Sequence, residues 1–209
     1  MSEDEGHRVL DLRERAIQAL TAASAQPPTG LLQDIIAMAQ PLEDKYHQVD
    51  VTRVLRENVT VKPSQGLEAV SRAFNILDKY GRNLLSPTKP KFWRAVKFNN
   101  PVFKTTVDGI QGSRDILRQY GYTVEQSDGM CFPEDVPEPD RRKVAAVTIE
   151  VAMLQLELEL LHKDVHPHPE LFSPFLPGGG VSSQPQSVEQ APSLTDSDSQ
   201  EPSQAAVTA

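Results

Sequence analysis

Apolar residues recur along the first part of the chain at the spacing of amphipathic helices, and then the pattern stops. Val9, Ala16, Ile17 and Leu20 share one face of a first helix that ends before Pro27-Pro28. Thr29 is placed to cap a second helix carrying Leu31, Leu32, Ile35 and Ile36. Leu42, Tyr46 and Val49 predict a third. Asp50 is a candidate cap for a short fourth helix with Val51, Val54 and Leu55, stopping near Asn58. Ser64 is placed to start a fifth, in which Leu67, Val70, Phe74 and Leu77 fall on one face and Gly81 sits where a C-terminal glycine cap belongs.

The pattern then changes. Phe92 to Phe98 is bulky and follows the turn-like Ser86-Pro-Thr-Lys-Pro90, which predicts a short strand. Asn100-Pro101 restarts a helix, with Asn as N-cap and Pro at the first helical position. A further helix runs from Arg114 to Tyr120 and ends at Gly121. Tyr122–Gln126 and Met130–Phe132, separated by Ser127-Asp128-Gly129, carry a hairpin signal. Val144, Val147, Val151, Leu154, Leu158 and Leu161 predict a long amphipathic helix. Leu156-Glu-Leu-Glu-Leu160 alternates like a strand, but the longer helical period outweighs it. Beyond this the chain is rich in Pro, Gly, Ser, Gln and acidic residues, too poor in apolar side chains to offset an ordering entropy of about 1–2 kcal/mol per residue.

The expectation is a mainly α domain over 1–170, with N-terminal helices in 7–58 and a core in 64–163, followed by a disordered tail over 171–209. The apolar island Glu170-Leu-Phe-Ser-Pro-Phe-Leu-Pro177 interrupts that boundary. It reads either as a segment that docks back or as a linear motif for a partner.

Charge and chemistry narrow the function classes. The net charge of −8 argues against an electrostatic nucleic-acid binder. Lys89, Lys91, Arg94, Lys97 and Lys104, with Phe92 and Trp93, keep that reading as an alternative. The single cysteine, Cys131, excludes an intrachain disulfide and a cysteine zinc site, and fits a reducing compartment. It is expected to point into the core. The acidic N-terminus lacks an apolar signal core, and no run approaches a membrane span, so the expected location is the cytoplasm. His162 and His166 lie one helical turn apart near His168, but Pro167 and Pro169 break the helix, and a solvated helix end is expected rather than a metal site. No catalytic motif, cofactor motif or phosphate loop is present.

Two runs carry the most specific chemistry: Asp78-Lys-Tyr-Gly-Arg-Asn83 and Lys97-Phe-Asn-Asn-Pro-Val-Phe103. Taken singly, Tyr80 reads as a packed surface ring, Asn83 as a turn residue, Lys97 as a solvated cation and Asn100 as a helix cap. Together they supply a ring, an ammonium and several amides beside a helix start. An Asn amide both donates and accepts, and so pairs with a peptide backbone much as a strand does. Lys97 and the helix start at Pro101 favour negative charge. The candidate ligand is an acidic peptide with an aromatic or aliphatic anchor, held by Tyr80, Asn83, Lys97, Asn99, Asn100 and Val102.

From Asn75 to Leu161 the chain resembles PUB domains, specifically those of HOIP-type linear-ubiquitin ligases. The resemblance rests on Asn75-Ile-Leu-Asp-Lys-Tyr-Gly-Arg-Asn-Leu-Leu-Ser-Pro87 and Phe92-Trp-Arg-Ala-Val-Lys-Phe-Asn-Asn-Pro-Val-Phe103, and extends in kind to about residues 5–170. It implies a helical fold with a small three-stranded antiparallel sheet. It also implies a pocket formed by the same six residues for PUB-interacting motifs of OTULIN, of the CYLD adapter or of valosin-containing protein, acting in linear ubiquitination and NF-κB signalling. With one Cys, the chain has no equivalent of the zinc-binding modules of those ligases and is not expected to transfer ubiquitin by itself. A part of a ligase and a stand-alone adapter are both open.

Overall fold

The computed structural model describes residues 3–23, 28–59 and 63–176. They form a mainly α fold with one small antiparallel sheet. In chain order come α1 (Glu3–Ala23), α2 (Thr29–Ile36), α3 (Leu42–Lys45), α4 (Val51–Val59), α5 (Pro63–Leu85), β1 (Ala95–Lys97) and a π-helical turn (Phe103–Val107). These are followed by α6 (Ser113–Tyr120), β2 (Val124–Gln126), β3 (Gly129–Cys131), α7 (Arg141–His162) and a 3₁₀ segment (Pro169–Phe175).

The axis of the molecule is α7. Asp140 caps its start by accepting from the Lys143 N–H at 3.0 Å. The helix was predicted to be amphipathic, but Val144, Ala145, Val147 and every residue from Thr148 to Leu154 are buried. The cause is its surroundings: α1, α2, α5 and α6 all pack on it, and its interface with α5 is the largest in the fold.

That close packing explains the role of Gly81. It caps nothing, because α5 continues through it to Leu85. A Cβ there would lie 2.1 Å from Thr148 Oγ1 and 2.7 Å from the Tyr120 hydroxyl. The glycine lets α5 approach α7 and α6. The true end of α5 is held from outside, where the Arg141 guanidinium donates to the Leu85 carbonyl at 2.8 Å.

The N-terminal helices follow their patterns with two corrections. Thr29 is the first residue of α2, and Pro28 occupies the cap position. The third helix is a single turn that stops at Lys45 instead of reaching Val49. A buried carboxylate is the reason. Glu150 of α7 accepts from the backbone N–H groups of His47 (2.9 Å), Gln48 (2.7 Å) and Val49 (2.8 Å), drawing them out of any helical ladder. Asp50 caps α4 as expected, accepting from the Arg53 N–H at 3.0 Å.

In the sheet, β3 lies between β1 and β2. Met130 pairs with Val96 on one side and Glu125 on the other. The predicted strand 92–98 shrinks to Ala95–Lys97, and Phe92 projects from the preceding turn, 76% exposed. The hairpin turn is Ser127-Asp128. Gly129 belongs to β3, where a Cβ would meet the Val96 carbonyl oxygen at 2.2 Å. Met130, not Cys131, points into the core; Cys131 is only half-buried.

The expected boundary at residue 170 is also corrected. Residues 169–175 are helical, Phe172 is fully buried, and Leu171 and Phe175 pack on the same core. Of the two readings of this apolar island, docking back is the observed one. Residues 177–209 of the expected tail lie outside the described residues.

Candidate peptide-docking site

The two specific runs fall on α5 and on the junction between β1 and the π-helical turn. Tyr80 and Asn83 are three residues apart on α5 and therefore share a face. Tyr80 is half-buried. Burial raises its hydroxyl above the ordinary tyrosine range, and its nearness adds to the same effect at Tyr122. The Tyr122 hydroxyl in turn donates to the Trp93 carbonyl at 2.8 Å, which ties the segment after α6 to the approach of β1. Asn83 is exposed, and its amide has no hydrogen-bond partner among the described residues.

The junction is built by backbone and ring contacts. The Phe98 N–H donates to the Asp128 carbonyl at 2.9 Å, and the Asn100 N–H to the Lys97 carbonyl at 3.2 Å, so Lys97–Asn100 forms a turn. Phe98 stacks on Phe103 with centroids 5.5 Å apart, and Arg114 lies 4.0 Å over the outer ring. Asn100 is the N-cap: its Oδ1 accepts from Val102 N at 3.0 Å and Phe103 N at 3.1 Å. The Asn100 carbonyl accepts from Lys104 N at 2.9 Å. Asn99 and Val102 are left exposed, Val102 by 51%. The Asn99 amide, like that of Asn83, has no intramolecular hydrogen bond among the described residues.

Four of the six predicted residues, Lys97, Asn99, Asn100 and Val102, thus lie on one continuous turn. The other two sit on the helix against which that turn's own helix packs. Two expectations change in detail. The helix after Asn100 ends at Val107, and two of its unpaired N–H groups are taken by Asn100 itself, so little of its positive end remains for a ligand. Lys97 is the cation of the predicted six, and it is not bare. Its ammonium lies 2.8 Å from Asp128 Oδ2. That hydrogen bond holds the Asp128 carboxyl below the usual range.

Asp128 was missed as a site residue because the Ser-Asp-Gly run reads as turn chemistry. The missing signal was the register Lys97↔Gly129, which sets the turn beside Lys97. Of the wider basic stretch, Lys89 pairs with Glu138 at 2.6 Å and Arg94 donates to the carbonyls of Val136 (2.7 Å) and Pro133 (2.6 Å).

The three histidines do not share one environment. His162 is exposed, whereas His166 is buried edge-on to Phe172, so the expected solvated helix end holds only in part. His166 Nδ1 accepts from the His168 N–H at 3.0 Å, which puts a neutral ring's proton on Nε2, 3.8 Å from Glu157 Oε1. Among the described residues, no group of three or more His, Cys, Asp or Glu side chains is arranged to hold a metal, and no helix is long and apolar enough to cross a membrane.

Comparison with known proteins gives the family of the fold. The family model described as "PUB domain" matches residues 67–146, from α5 into α7. The chain is 47% identical over 175 residues to the human E3 ubiquitin-protein ligase RNF31 and 49% identical over 168 residues to the mouse protein of that name. These matches take in 83% and 80% of this chain but 16% of each relative, so the chain spans a small part of their length. RNF31 is the HOIP of the sequence resemblance. The match over 67–146, the identity over most of the chain and the small three-stranded sheet set among helices together make this chain a PUB-domain protein.

Proposed function

We propose that this chain is the peptide-docking module of a linear-ubiquitin E3 ligase, non-catalytic in itself. It holds acidic PUB-interacting motifs of deubiquitinases or adapters such as OTULIN, the CYLD adapter or valosin-containing protein. In this reading it works in the cytoplasm, where recruitment of such partners regulates linear ubiquitination and NF-κB signalling. The observation that carries it is the pair of exposed amides at Asn83 and Asn99, unpartnered among the described residues, on α5 and on the turn whose helix packs against it, together with the exposed Lys97. Polar groups left without intramolecular partners, next to a half-buried ring and an exposed valine, suit a peptide that brings its own backbone, an acid and an apolar anchor.

The test is calorimetric titration of an OTULIN-type motif peptide into the full chain. Saturable binding is expected, weakened by about 1–3 kcal/mol in Lys97→Glu and in Asn100→Asp, because each sets a negative charge beside the ligand's acids. Unchanged affinity in both variants removes the six-residue assignment. If the motif's aromatic residue is tyrosine, its phosphopeptide binds more weakly, since a charge of about −1.5 to −2 has to enter beside the half-buried Tyr80. Equal affinity for both peptides counts against a ring site at Tyr80.

A further inference from the structure

The ion pair between Lys97 and Asp128 places a carboxylate of the protein itself where the proposed ligand's acid has to go. We propose that Asp128 is a built-in competitor for Lys97 that sets how strongly the docking surface selects acidic peptides. This rests on the docking function proposed above and deepens it.

Several features converge on this role. Asp128 sits at the tip of the β2–β3 turn. It is brought to Lys97 by the β1–β3 register and fixed there by its own carbonyl, which accepts from the Phe98 N–H at 2.9 Å. Its side chain lies 2.8 Å from the Lys97 ammonium. Among the described residues that ammonium has no other carboxylate partner, and Asp128 has no other cation. Both side chains are about half exposed, so the pair gives way to a ligand without opening the core. An exposed carboxylate is ionised at neutral pH, and the hydrogen bond from Lys97 lowers the pKa of Asp128 further.

An acidic ligand therefore meets a lysine already neutralised. To reach it the ligand displaces Asp128 or shares the ammonium with it, and in either case Asp128 repels the incoming acid. A ligand with a single weakly placed carboxylate gains little, whereas one with several acids still gains. Asp128 thus acts on the acidic part of the peptide and leaves the contribution of the apolar anchor unchanged.

Asp128→Asn is the discriminating variant. It removes the charge and keeps the side-chain shape in an exposed turn, and Asp128→Ser serves as a second variant with a different backbone preference. Two probes are titrated into the full chain at low salt: a short acidic peptide with one tyrosine and one leucine, and its counterpart with Asn and Gln in place of Asp and Glu.

The expected result is affinity roughly two- to fivefold tighter for the acidic peptide in both variants, the range of an exposed ion pair. No gain is expected for the amide peptide, and the gain shrinks at about 0.5 M salt, where exposed charges are screened. The gain is also smaller in a Lys97→Met background, because the competition is for Lys97. Unchanged or weaker binding of the acidic peptide in Asp128→Asn overturns the inference and makes Asp128 a residue that positions Lys97 for its ligand. If the wild-type chain binds the acidic peptide and only the Asp128 variants fail to respond, the docking function stands and this inference falls. If the wild-type chain binds neither peptide, both fall together.

Discussion

Two regions of the molecule handle polar chemistry in opposite ways. Along α7, Glu150 and Glu157 are fully buried, and the protein answers them internally. Glu150 takes the Arg13 guanidinium and three backbone N–H groups; Glu157 takes the Tyr46 hydroxyl and faces Lys45 at 3.6 Å. On α5 and at the β1 junction, Asn83 and Asn99 stay exposed and unpartnered among the described residues, and Lys97 holds only an exposed carboxylate. The first arrangement joins the N-terminal part of the chain to α7. The second leaves interaction capacity for another molecule. A buried polar group left unsatisfied is costly, while an exposed one is nearly neutral until a partner arrives.

The largest effect should come from breaking the buried side. Glu150→Gln strips the charge partner from Arg13, which is itself only 8% exposed. A loss of about 3–5 kcal/mol is expected, the range for breaking one partner of a buried pair. Denaturant unfolding measures it. A midpoint equal to that of wild type would mean that Arg13 finds water or another acceptor. Peptide affinity of the folded fraction should not change, because Glu150 does not reach the junction.

Gly81→Ala comes next. It adds a methyl group where Thr148 and Tyr120 leave no room, and overpacking of this kind costs about 1–3 kcal/mol. The variant separates the two roles available to a glycine near a helix end. Had Gly81 been a cap, alanine would distort only the end of α5. As a close-approach residue it should shift the α5–α7 interface, seen as chemical-shift changes at Thr148 and Tyr120. A thermal midpoint within a degree of wild type would contradict the close approach.

The exposed side was easier to read in the sequence than the buried one, for a physical reason. Asn100-Pro101 is a local signal, since cap and first helical residue are adjacent and the hydrogen bonds to Val102 and Phe103 close within three residues. Lys97, Asn99 and Val102 belong to the same short run. Apolar periodicity likewise gave the helices and the small three-stranded sheet was implied by resemblance, but the polar contacts that Glu150 and Glu157 of α7 make join residues about a hundred positions or more apart. Nothing local marks Glu150, or Glu157 in the alternating Leu156-Glu-Leu-Glu-Leu160 stretch, as buried rather than solvated, or Lys45 as buried with its ammonium donating to the Ile36 carbonyl at 3.3 Å. Separation in sequence, though shorter, also hid Asp128 as the partner of Lys97 and the purpose of Gly81, and the contacts of Glu150 hid the early stop of α3.

Asn100 is the residue where the two modes meet, because its Oδ1 caps a helix while its amide nitrogen is left for a ligand. Two substitutions divide these roles. Asn100→Ala removes the capping oxygen and should lower stability by about 1 kcal/mol. Asn100→Asp keeps a capping oxygen, and aspartate caps as well as asparagine, so stability should stay close to wild type while binding of an acidic peptide falls. Comparing the two variants by unfolding and by titration assigns the loss. If Asn100→Asp destabilises the chain as much as Asn100→Ala, fold and docking cannot be separated at this position.

The smallest effects lie in two aspartates that the regions push in opposite directions. Asp78, on α5, is raised above the ordinary 3.8 by burial, against the pull of Arg82 at 2.6 Å. Asp128 is lowered below 3.8 by the hydrogen bond from Lys97. For Asp78 the folded chain binds the proton more tightly than the unfolded chain, so its contribution to stability falls as pH rises from 3.8 through its raised pKa. For Asp128 the unfolded chain binds the proton more tightly. Its contribution is therefore present above 3.8 and is lost as pH falls through its lowered pKa. Carboxyl-carbon NMR titration should place the two midpoints on opposite sides of 3.8. Lys97→Met should then move the Asp128 midpoint upward and leave Asp78 in place, because only one of the two carboxylates depends on the docking surface. A Asp78 midpoint below 3.8 would mean that Arg82 outweighs burial there, and that α5 holds its charges by pairing, as the junction does.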